Sequence, residues 1–178
     1  VFADDASDFA AANNSAQAQL LESWAAQPVP ARVELINSLQ QGQVTVDGQV
    51  KTLRLNNRLR GLIDTALASH QLLAADPKLR LSAAQQLQKS AKPAQLNFLD
   101  QQLAAEKDSD VHSALSLALA NLQLVDPNPA VRLAAVRLLG ETGEPLARTR
   151  LENLLQPGVE TDASVHTAAE TSLVQIKR

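Results

Sequence analysis

The chain has 178 residues, enough for one domain or a short repeat array with a real core. Hydrophobic residues make up 45%, yet aromatics only 2% (Phe2, Phe9, Trp24 and Phe98), and the net charge is −3. A core of alanine and leucine favours many closely packed helices over a sandwich or barrel. The acidic balance argues against a nucleic-acid binder, and the lack of cysteine excludes thiol catalysis, disulfides and cysteine-ligated zinc.

The first residues, VFADD, place Val1 and Ala3 where a signal peptidase favours small side chains, with cleavage before Asp4. No stretch approaches the roughly 18 apolar residues of a membrane span. Residues 4 to 41 read as one or two helices. Leu20, Leu21 and Trp24, and then Val33, Ile36 and Leu39, recur at helical spacing, with Gln-Pro-Val-Pro at 27 to 30 between them and Gly42 after them. QVTVDGQVK, 43 to 51, is the one strand-like stretch. It predicts a hairpin pairing Val44-Thr45-Val46 with Gln49-Val50-Lys51 across Asp47-Gly48. An isolated hairpin is marginal in water, so it must lie on the helices or on a partner.

Beyond residue 57 the sequence repeats. A shift of 52 residues lays Ala66 on Ala118, Leu72 on Leu124, Pro77 on Pro129, Arg80 on Arg132, Leu87 on Leu139 and Pro93 on Pro145. Each unit reads as three helices, about 57–74, 78–90 and 93–105, then 110–124, 129–140 and 145–156, with a last helix at about 163–177. Capping residues mark the starts: Asn56 or Asn57 for the first helix, Asp76 and Asn128 ahead of prolines, Asp108 or Asp110, and Asp162. Such periods in helical hairpins mean a solenoid, each unit burying its face on the next.

DPNPAVRLAAVRLLGETGEPLARTRLENLL, 126 to 155, resembles a HEAT-type repeat, with weaker copies in LRLSAAQQL (79–87) and VHTAAETSL (165–173). Across residues 53 to 177 the order LRLNNRLRGLIDTALASHQLL, DPKLRLSAAQQLQ and then DPNPAVRLAAVRLLGETGEP is similar to one family. That family is the extracytoplasmic N-terminal domain of urea-type ABC transporter permeases, in the branched-chain amino-acid transporter class. The Asn-Asn-Arg-Leu-Arg string at 56 to 60 carries the likeness most specifically; His112 and His166 depart from it, standing where repeats usually carry arginine. The resemblance implies a soluble domain, periplasmic or on the extracytoplasmic face of the inner membrane after signal-peptide removal. It also implies that transport resides elsewhere, and that the partners are other transporter subunits or the substrate-binding protein.

The candidate chemistry is thin. Lys51, Arg54, Arg58 and Arg60 form a basic cluster in an acidic chain, either a solvated face or a docking patch for an acidic protein surface or anionic headgroups. Of His70, His112 and His166, only His166 has a histidine or carboxylate at i+3 or i+4, namely Glu170, so no metal site is expected. Carboxylates gather at helix ends, where capping accounts for them, and no phosphate loop, GxSxG or HExxH motif occurs. Arg80 and Arg132, beside the turn acids Asp76 and Asp126, predict a structural ladder along the repeats.

The expectation is therefore an all-α fold: a short, right-handed HEAT-like α-solenoid with an N-terminal helical cap and one small β-hairpin. Residues 1–52 pack on the repeats of 53–178 in one compact domain. The function expected is a non-catalytic protein-interaction or assembly module of a urea-class permease, without cofactor, metal or nucleic acid. A free-standing HEAT scaffold and a HEAT-like lyase are the alternatives.

Overall fold

A computed structural model of the protein describes residues 4–142 and 144–177; Val1 and Ala3, read above as part of a cleavage point, lie outside them. The described residues form α1 (Asp4–Ala11), α2 (Asn14–Ala26), α3 (Val33–Gln40), β1 (Gln43–Val46), β2 (Gln49–Thr52), α4 (Asn57–Gln71), α5 (Pro77–Ser90), α6 (Leu96–Ala105), α7 (Ser109–Gln123), α8 (Pro129–Glu141), α9 (Pro145–Leu154) and α10 (Ala163–Lys177). The fold is an all-α helical-repeat fold with one hairpin. Contacts gather it into two compact units, one up to Leu87 and one from Gln88 onward, so the division falls inside α5. The first unit thus joins the residues before 53 to α4 and most of α5.

In the first unit α2 and α3 pack on α4, and β1 rests on α1 and α3. Phe9, Leu21, Trp24, Ile36, Leu39, Val44, Leu59 and Ile63 supply its core. The segment expected to form one or two helices holds three, because the chain breaks before Asn13 as well as at the prolines. Asn13 Oδ1 accepts the Ala16 N–H at 2.9 Å, an N-cap hidden in an alanine-rich stretch. Pro30 then starts a 3₁₀ turn, Pro30–Arg32, that leads into α3.

The hairpin has the expected register, Val44 opposite Lys51 and Val46 opposite Gln49. Asp47 and Gly48 both have positive φ, 51° and 77°, as a type I′ turn requires. Val44 is fully buried, while every residue of β2 is exposed. The hairpin is held by one strand only.

In the second unit α8 packs against α7, α9 and α10, and α6 against α7. Leu117, Val136, Leu139, Leu151, Val165 and Ala169 form the core there. A Cβ built on Gly140 of α8 would lie 2.9 Å from the Ser172 Cβ of α10, so glycine sets how closely these helices approach.

The repeat is visible in hydrogen bonds. Asn56, Asp108 and Asp162 precede α4, α7 and α10, and each caps the N–H three residues on: Leu59 at 2.8 Å, Val111 at 3.0 Å and Val165 at 3.1 Å. All three capped residues are buried, so each cap sits beside a core anchor. Asp76 and Asn128 likewise accept the N–H groups of Lys78 and Ala130.

Candidate partner-docking surface

The basic cluster is assembled within the first unit by the hairpin and the start of α4. Lys51 belongs to β2, Arg54 to the link after it, and Arg58 and Arg60 to the first turn of α4. All four are exposed, whereas Leu59 between the last two is buried and plants the turn in the core. Arg58 Nη2 lies 3.9 Å from Glu22 Oε1, with side chains 68% and 46% exposed, a contact that water largely screens. Arg60 Nε donates to the Leu55 carbonyl at a long 3.4 Å. Among the described residues Lys51 and Arg54 form no ion pair. Asn56 alone caps α4; Asn57, expected to share that role, is already the first helical residue. The cluster is therefore a set of exposed, weakly engaged cations on a base anchored by the buried Leu59.

Arg80 and Arg132 serve the architecture, in matching ways. Arg80 Nη1 donates to the carbonyls of Ala74 at 3.0 Å and Ala75 at 2.8 Å. Arg132 Nη1 donates to those of Asp126 at 2.8 Å and Pro127 at 3.0 Å, the same positions 52 residues on. Both arginines thus bind turn carbonyls, and the carboxylates of Asp76 and Asp126 instead turn to Lys78 N and Asn128 N. The acid that Arg132 does hold is Glu160, through Nε and Nη2. That hydrogen bonding keeps the Glu160 carboxyl below its ordinary pKa despite burial, and raises the Arg132 guanidinium in turn.

Sequence reasoning missed Glu160. Its signal is a Glu-x-Asp pattern shared by 106–108 and 160–162, in which the glutamate accepts the N–H of the capping aspartate, Glu106 from Asp108 and Glu160 from Asp162, both at 3.0 Å. Beside the Arg132–Glu160 pair lies an open hollow of about 530 Å³, lined by Leu124, Val125, Leu154 and Val159 together with Arg150 and Asn153.

The histidines do not converge. His112 is exposed, and His166 Nδ1 lies 3.2 Å from Glu170 Oε1 on the surface of α10. His70 is buried, with Nδ1 2.8 Å from the Ala66 carbonyl. A carbonyl only accepts, so the proton is on Nδ1, and Nε2 is buried without a hydrogen-bond partner among the described residues. Protonating Nε2 would bury a charge, so burial, opposed by the Ala66 carbonyl and aided by the nearby Arg32, lowers the pKa to about 4. Among the described residues no three histidine, aspartate or glutamate side chains lie together as a metal site.

A second cluster went unforeseen in the first unit. Arg32 stacks 5.2 Å from the Trp24 ring centroid and pairs with Asp5 at 3.1 Å, while Trp24 meets Phe9 at 5.9 Å. It ties α1, α2 and the 3₁₀ turn together and leaves Arg32 little exposed.

No described helix is long and apolar enough to cross a membrane. Comparison with family models and with curated proteins gives no match for the chain.

Proposed function

We propose that this chain is a non-catalytic interaction module that docks an acidic protein surface through Lys51, Arg54, Arg58 and Arg60. The observation that carries this reading is four exposed cations whose one ion pair among the described residues is long and screened, in a chain of net charge −3. Arg80 and Arg132 are committed to turn carbonyls and the capping side chains to helix N–H groups, whereas these four cations gather on one exposed surface. On the resemblance of residues 53 to 177, we assign the module to the extracytoplasmic side of a urea-type ABC permease. Its partners are then another subunit of that transporter or its substrate-binding protein.

The test is charge reversal. Arg54→Glu, Arg58→Glu and Arg60→Glu together keep the helical spectrum and melting midpoint nearly unchanged, since none of the three is buried. Association with the remaining transporter subunits or the binding protein, measured in a reconstituted complex, falls at least tenfold. Unchanged association overturns the reading.

A further inference from the structure

The exposed strand beside the basic cluster offers more than charge. β1 packs on α1 and α3 with Val44 fully buried, whereas β2 is exposed throughout and, among the described residues, pairs with β1 alone. The direction of its backbone groups follows from the register. In a two-residue hairpin the pair flanking the turn, Val46 and Gln49, exchanges hydrogen bonds, and bonded pairs alternate from there. Val44 and Lys51 are then bonded, as are Gly42 and Leu53, the last seen directly as Leu53 N–H donating to the Gly42 carbonyl at 2.8 Å. Val50 and Thr52 fall between these pairs, so their N–H and C=O groups point away from β1. This is an open sheet edge, with Val50 63% exposed on it.

Resting on the docking reading above, we propose that β2 receives an extended acidic segment of a partner protein as a third strand. Main-chain bonds to Val50 and Thr52 supply the pairing, and side chains supply the selection. Because side chains alternate, residues of the added strand on one face meet Val50 and Thr52, and those on the other meet Lys51. Arg54, Arg58 and Arg60 continue the positive field just beyond the strand end. The segment that fits alternates aliphatic and acidic residues.

The probe is a fluorescein-labelled octapeptide alternating valine with glutamate, read by anisotropy against the whole 178-residue chain. Saturable binding is expected, weakening as salt rises from about 50 to 500 mM. Val50→Pro removes an outward N–H and leaves the β1 bonds in place, so it weakens binding by about three- to tenfold, the worth of one or two main-chain hydrogen bonds. The same peptide N-methylated at its valines keeps its charge but loses the donors that face β2, and it binds still more weakly; this arm holds even if Val50→Pro disturbs the hairpin. Equal affinity for the parent and N-methylated peptides overturns strand addition. If charge reversal at Arg54, Arg58 and Arg60 still weakens such binding, the docking reading survives it. Failure of the peptide to bind, or binding to vesicles of phosphatidylserine in its place, overturns the proposal as well.

Discussion

Arg132 and Glu160, 28 residues apart, are joined by two parallel hydrogen bonds, Nε to Oε2 at 2.7 Å and Nη2 to Oε1 at 2.9 Å. The Glu160 side chain is only 2% exposed, so it depends on this cation for its charge. Arg132→Met leaves the carboxylate without its cation and strips two turn carbonyls of their donor; a loss of several degrees in melting midpoint is expected. Glu160→Gln costs less, because Gln keeps an acceptor and Arg132 keeps the carbonyls of Asp126 and Pro127. The folded pKa of Glu160 lies below its ordinary 4.5, so the pair contributes fully above that value and fades as pH falls through the lowered one. The gap between the wild type and Glu160→Gln should therefore close on acidification, which thermal melts at stepped pH would check.

His70 makes stability depend on pH in a different window. Unfolded, the imidazole titrates near 6.5; folded, it is held to about 4. Between those values the unfolded chain binds the extra proton, so stability falls as pH drops from 7 towards 4, by up to about 3 kcal/mol. His70→Gln keeps a donor for the Ala66 carbonyl and removes the titration. Denaturant unfolding at pH 7.5, 6.0 and 5.0 should show a shallower slope in the variant, whatever its absolute stability.

The two neighbouring asparagines should behave differently. Asn56→Ala removes the cap on Leu59 N–H and is expected to destabilise by about 1 kcal/mol. Asn57→Ala, at an exposed first helical position, should stay within about 0.5 kcal/mol of the wild type. Equal losses in equilibrium unfolding would show that Asn57 shares the cap.

Gly140→Ala should destabilise by about 1–3 kcal/mol, since its Cβ would press on Ser172, with the Gln175 Oε1 at 3.1 Å behind it. Pairing it with Ser172→Gly removes the closest atoms and should recover part of the loss, beyond the sum of the single changes. A double-mutant cycle by denaturant unfolding measures that coupling.

Much of this protein was legible along the chain because the signals are local. A capping side chain reaches an N–H two or three residues on, a proline stops a helix where it stands, and Asp47-Gly48 admits the positive φ of its turn by itself. Hence the prolines, caps and 52-residue spacing placed nearly every helix from Asn57 onward, and the basic cluster could be named. What tertiary structure decided were relations between distant residues. Nothing near Arg132 in sequence says that its acid is Glu160, or that Arg32 would leave solvent for Trp24 and Asp5. The burial of His70 and the closeness of Gly140 to Ser172 depend on which helix faces meet. The open edge of β2 is of the same kind: alternation makes it a strand, but only the tertiary structure shows that, among the described residues, no further strand pairs with its outer side.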